Sequence, residues 1–181
     1  MKPGILSACV LALALPQADR MNYYLVTGRT GAEVRAAMNK VRPTDSHGLR
    51  VDARTTWDIR WSYRFRPGPD GCVVTSFNVT LTTAMTLPKW TDLTTAPVAL
   101  QNQWNAYYTA LLQHEQGHIR IGELAAGAIR EAGPKVTAAN CSTMGAAIDR
   151  KGQELLAEYG RQEVRYDAET NHGVKQGAKF P

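Results

Sequence analysis

WNAYYTALLQHEQGHIRIGELAAGAI, residues 104–129, decides how the rest of the chain is read. At its centre stands His114-Glu115-Gln116-Gly117-His118, an HExxH pentad inside a stretch of helical periodicity. Residues four apart on a helix lie one above the other on the same face, so two imidazoles can address one metal ion. A glutamate next to the first histidine is within reach of a water held at that ion and suits the role of general base. Trp104, Tyr108, Leu111 and Leu112 recur at helical spacing before the pentad, and Ile119, Leu124 and Ile129 continue the pattern after it. The histidine stripe is thus expected beside an apolar face. Two histidines on a solvated helix edge would fit the spacing too, but not the glutamate between them. Pro97 reads as the helix start and Gly133-Pro134 as its stop, with a break expected near Gly117 or Gly122 because so long a helix is unusual.

Working outward, the residues before this helix read as strands. Tyr23-Tyr24-Leu25-Val26 is a short strand closed by Thr27-Gly28, and Thr30 caps a helix from 31 to about 40 with Val34 and Met38 on one face. A loop follows over residues 42–48. Trp57, Ile59, Trp61, Tyr63 and Phe65 then alternate with Asp58, Arg60, Ser62 and Arg64, and after a turn at 67–71 Val73, Phe77, Val79, Leu81 and Met85 resume the alternation. This predicts an antiparallel hairpin with one wet face. Beyond the stop, Asn140 or Ser142 caps a second long helix whose stripe is Met144, Ile148, Leu155, Tyr159 and Tyr166. Strands first and helices afterwards argue an α+β fold, with N-terminal antiparallel strands packed against long C-terminal helices. The expected organisation is a signal at 1–18, one domain over 19–173 and a flexible tail at 174–181 whose glycines show no periodicity.

The chain has 181 residues and a formal charge of +5, but its acidic and basic residues are interspersed. No basic run suggests a nucleic-acid arm, so no nucleic-acid partner is expected. Lys2, the apolar stretch 5–15 and the small residues Ala12, Ala14 and Ala18 resemble an export signal. At roughly eleven residues that stretch is too short to span a bilayer, and no stable membrane insertion is expected after its removal. Leu6-Ser7-Ala8-Cys9 has the look of a lipoprotein cleavage box, but apolar sequence continues past it, so Cys9 is read as part of the discarded signal. The expected location is secreted or periplasmic. Of three cysteines, Cys72 and Cys141 then remain, and in an oxidising compartment they are expected to pair.

A catalytic zinc site usually takes three protein ligands, and the pentad supplies two. A histidine six residues further on would fall at Leu124, and a glutamate about twenty residues on would fall in Ala138-Ala139-Asn140, so neither extended pattern applies. The segment 166–173 is rich in possible ligands. His172 is the first choice, because imidazole matches the other two and Gly173 lets the chain turn toward them. Asp167 is the second, as ligand or as an acceptor that orients a histidine, and His47 is the reserve.

Tyr24-Leu25-Val26-Thr27-Gly28, HEQGH and the closing Tyr166-Asp167-x-x-Thr170-x-His172-Gly173 together resemble a bacterial family of unknown function described as predicted secreted zinc-dependent proteases. The similarity runs from about Tyr23 to Gly173. It implies a zincin-like active-site helix and a zinc peptidase, with His114, Glu115 and His118 joined by Asp167 and His172. On that reading Zn2+ is held by His114, His118 and His172, Glu115 is the base in hydrolysis of a peptide or protein, and Tyr166 steadies the oxyanion. Two other classes stay open. Glu115-x-x-His118 and Glu169-x-x-His172 are both Glu-x-x-His units of the kind di-iron bundles use, and a non-catalytic envelope module could carry the same histidines.

Overall fold

The computed structural model describes residues 19–45 and 48–181. The signal segment with Cys9, and His47, lie outside the described residues. Three strands, Arg20–Val26 (β1), Arg54–Gly68 (β2) and Gly71–Trp90 (β3), form one sheet in the order β1-β3-β2. Three helices accompany them: Gly31–Val41 (α1), Val98–Ala132 (α2) and Cys141–Thr170 (α3). The architecture is α+β.

β2 and β3 make the expected antiparallel hairpin, in register from Arg54 opposite Thr86 to Gly68 opposite Gly71, with one irregularity between Arg64 and Phe65. Along β2 the charged residues Asp58, Arg60 and Arg64 are exposed, and the aromatic and aliphatic residues between them face the helices. That alternation is what a sheet with one solvated face requires. β1 adds a detail the sequence pattern lacks: it lies parallel to β3, Arg20 opposite Ala84 through Val26 opposite Trp90. A parallel neighbour needs a crossover, and α1 lies within it. α1 starts at a capping box: Thr30 Oγ1 accepts from the Glu33 amide at 3.2 Å and Glu33 Oε2 accepts from the Thr30 amide at 3.2 Å.

α2 runs unbroken for 35 residues, so the expected break at Gly117 or Gly122 does not occur. Those glycines instead admit aromatic rings. A Cβ at Gly122 would stand 2.8 Å from Cγ of Trp57, and one at Gly152 of α3 would stand 2.5 Å from Cζ2 of Trp61. The buried face of α2 also differs by about one residue from the expected one. Tyr107 is buried where Tyr108 was expected, and Leu124 is exposed. One residue is about 100° of helix rotation, enough to exchange them.

Asn140 caps α3, its side chain accepting from the Thr143 amide. Met144 and Ile148 are fully buried, and Leu155 and Tyr159 are partly buried against Ile129 and its neighbours. A disulfide joins Cys72 at the start of β3 to Cys141 at the start of α3. The segment after Gly173, expected to be a flexible tail, is packed. Ala178 and Phe180 are buried, and Phe180 lies 5.1 Å from the ring of Trp104 and 5.3 Å from that of Tyr107. Arg35 donates to the carbonyls of Phe180 and Pro181 at 3.1 and 3.3 Å. Apolar burial at two alternate positions and a guanidinium on the backbone outweigh the freedom that Gly173 and Gly177 give the chain. Among the described residues no helix is long and apolar enough to cross a membrane.

Candidate metal centre

α2 brings His114, Glu115 and His118 into the interior, at 2 %, 4 % and 6 % exposure. Facing them, α3 presents Glu163, Tyr166, Asp167 and Thr170, whose spacings of three and four place them on one helix face. Nε2 of His114 and Nε2 of His118 each lie 3.1 Å from Oδ1 of Asp167, and 3.2 Å from each other. These three residues form a group that could hold a metal ion.

The triangle has a chemical meaning. A tetrahedral ion with bonds of about 2.0–2.1 Å keeps its ligand atoms about 3.3 Å apart, close to the observed edges. The other ring nitrogens point outward to acceptors: His114 Nδ1 lies 2.9 Å from Oε1 of Gln176, and His118 Nδ1 lies 3.1 Å from Oε2 of Glu163. A carbonyl or carboxylate oxygen there is satisfied by an Nδ1–H, which leaves both Nε2 lone pairs turned inward. Two lone pairs and a carboxylate oxygen then converge on one point, an arrangement that calls for a positive charge.

The electrostatics agree. Burial lowers the proton affinity of the His118 imidazole, but hydrogen bonds to Asp167 and Glu163, with the charges of Glu163 and Glu115, outweigh it and push the pKa up to about 10. Burial raises that of Asp167, yet the hydrogen bonds from His114 and His118 and the charges of His118 and His172 hold its carboxyl well below the usual range. Glu115 behaves differently. Burial pushes it up, opposed by His118, the Thr55 hydroxyl and His114. Thr55 of β2 donates to its Oε2 at 2.7 Å and fixes the carboxylate next to the cluster without adding it to the triangle.

The Tyr166 ring stacks on that of His114, centroids 5.0 Å apart and planes 11° from parallel. Its hydroxyl donates to the His114 carbonyl at 3.3 Å and accepts from Nε2 of Gln176 at 3.2 Å. His114, Gln176 and Tyr166 thereby close a ring of hydrogen bonds. Gly117 is required here, because any Cβ would collide with the Tyr166 hydroxyl. An open cleft of about 790 Å3 lies over the cluster, bounded on the other side by residues 49–57.

A family model for bacterial proteins of unknown function, DUF922, matches residues 21–173. The chain belongs to the DUF922 family. No curated protein and no solved structure matches it. Within the matched span lie His114, Glu115, His118, Glu163 and Asp167, whereas Gln176 falls just beyond it.

Two expectations for this DUF922 chain change with the geometry. Asp167, not His172, completes the triangle. Asn171, His172 and Gly173 all adopt left-handed backbone at the end of α3, and the turn lays Gly173 against His114, its built Cβ 3.0 Å from Cγ of that ring. His172 is left partly exposed, with Nδ1 3.5 Å from Oδ1 of Asp167. The turn that Gly173 permits thus delivers Gln176 to His114 instead of delivering His172 to the triangle. Tyr166, expected to steady an oxyanion, has its hydroxyl committed to α2 and Gln176. The second Glu-x-x-His unit is not assembled either, since Glu169 is exposed. Glu163, Gln176 and Thr55 carry no motif. Only the helical spacing of Glu163 from Tyr166 and Asp167 could have flagged one of them.

Proposed function

We propose that this protein is a zinc-dependent peptidase, exported to the bacterial envelope or beyond, that cleaves peptide or protein substrates. One observation carries the reading: two inward-facing Nε2 atoms and one carboxylate oxygen form a triangle with edges of 3.1–3.2 Å, beside a buried carboxylate that is not part of it. Two imidazoles with one carboxylate suit zinc better than the harder oxygen-seeking cations or the thiolate-preferring ones. The bound metal supplies Lewis acidity toward a water and a substrate carbonyl.

The chain's own residues do the rest. Glu163 and Gln176 hold the two imidazoles by their Nδ1 atoms, and Tyr166 braces His114 from its face. Glu115, oriented by Thr55, takes the proton of the attacking water and passes it to the leaving amine. Export is supported by the apolar start of the chain, and the Cys72–Cys141 bridge suits an oxidising compartment.

The test is zinc content combined with a peptidase assay on Glu115→Gln. That variant is expected to bind about one zinc per chain and lose at least roughly a hundredfold in kcat/KM, since the base acts on the water and not on the metal. Zinc bound by both proteins with no peptidase activity in the native one would leave a metal-binding module. Two irons per chain would overturn the zinc assignment.

A further inference from the structure

The two walls of the cleft differ in charge. On the metal side Glu115, Glu163 and Asp167 are engaged by Thr55, His118 and the histidine pair. On the other wall the cleft is lined by Arg42, Arg50 and Arg54. The carboxylate that pairs with Arg42 is saturated: Asp52 accepts twice from Arg35 at 2.9 Å, from Arg42 at 3.2 Å and from the Tyr107 hydroxyl at 2.9 Å. The Asp45 carboxylate accepts from the Leu49 amide at 2.8 Å.

On this wall what is left over is cationic, while across the cleft Oε1 of Glu163 is buried without a partner. Arg50 donates to the Lys40 carbonyl, a long contact of 3.3 Å, and has no carboxylate partner among the described residues. The Arg54 side chain has neither hydrogen bond nor ion pair among them. Nε of Arg42 is buried without a partner. Arg54 directly precedes Thr55, whose hydroxyl holds Glu115, and both residues line the cleft. Guanidinium groups match carboxylates in planar, two-pronged geometry and keep their charge at any working pH.

We propose that this wall selects substrates by a carboxylate, with Arg54 and Arg50 as the reading residues and Arg42 behind them. The inference rests on the peptidase reading for the reaction but not for the binding. The carboxylate is an aspartate or glutamate side chain near the scissile bond, or the substrate's own chain terminus.

The experiment uses the zinc-loaded full-length protein and sets of fluorogenic peptides that differ only by Glu or Gln at each position, every peptide made with a free and with an amidated C-terminus. Preference for Glu over Gln at one position by about tenfold in kcat/KM identifies a side-chain reader, and preference for the free terminus identifies a terminus reader. Arg54→Gln and Arg50→Gln should bring that ratio toward one, with zinc content as the control for folding. Equal cleavage of all pairs, or a preference that survives both substitutions, overturns the proposal and leaves the peptidase reading intact. The same peptides are also titrated into zinc-loaded Glu115→Gln by fluorescence anisotropy. Arginine-dependent, salt-sensitive binding of the acidic members without cleavage by the native protein upholds the carboxylate site and sinks the peptidase reading. Absence of such binding overturns the site.

Discussion

At one end of α3, Cys141 is bonded to Cys72 at the start of β3; at the other, Glu163 and Asp167 meet His114 and His118 of α2. The first fastening is covalent and acts by restricting the unfolded chain, whatever else is bound. The second consists of polar groups, three of which form a cluster that could hold a metal ion. Between them the helix meets the sheet through Trp61 seated against Gly152, an apolar contact that neither end controls. The comparison teaches that one end of α3 is held covalently and the other by a polar cluster that could hold a metal, and that the two should fail separately.

The largest expected effect is at the ligating end. His114→Ala or His118→Ala should weaken zinc binding on the order of a thousandfold or more, measured by chelator competition, with the disulfide still formed. Asp167→Asn should follow closely, whereas His172→Ala should cost less than about tenfold, because His172 only neighbours Asp167. A larger loss in His172→Ala than in Asp167→Asn would break the assignment of the triangle. At the covalent end, Cys72→Ser should lower stability by about 4 kcal/mol in urea unfolding, as the chain-entropy account gives for a loop of this length. The zinc affinity of the folded fraction should stay within about tenfold; a collapse of both together would erase the distinction between the ends. Gln176→Ala sharpens it at smaller scale, with an expected 10–100-fold loss of zinc affinity from an untethered His114 ring.

The smallest effect lies outside both ends, in the cap of α1. The amides of Arg29 and Thr30 hold the Glu33 carboxyl below its ordinary value of 4.5. A group depressed on folding contributes stability above its unfolded pKa and loses it as pH falls through the folded one. Acid titration of unfolding should therefore show a shallower decline below about pH 4.5 in Glu33→Gln than in the native protein. Identical slopes would remove the cap from the account.

What the sequence made legible was local. The Thr30 cap, the alternation along β2 and β3, and the two histidines with their glutamate each lie within a few residues and follow from one period or one cap. Composition around Gly173 favoured His172 over Asp167, whereas which of them meets the two histidines is decided by where α3 crosses α2. Asp167 lies inside α3 and faces the histidines; His172 lies past its end, after the backbone has turned. Gln176 and Thr55 had no signal at all, since each depends on a contact made across the fold. The parallel placement of β1 was hidden for the same reason. The tail was misjudged because Ala178 and Phe180 are too few to show a period.

The spacing of the site along the chain also orders its assembly in time. Asp167 follows His114 by 53 positions and Gln176 follows it by 62. During synthesis, or passage through a membrane in N-to-C order, HEQGH emerges long before either. Through that interval neither the Asp167 carboxylate nor the Gln176 side chain is there to meet the two histidines. Only when the end of α3 and the turn at Gly173 have followed can the triangle close and the His114 ring lock. The group that could hold a metal ion is therefore assembled late, when α3 has followed α2.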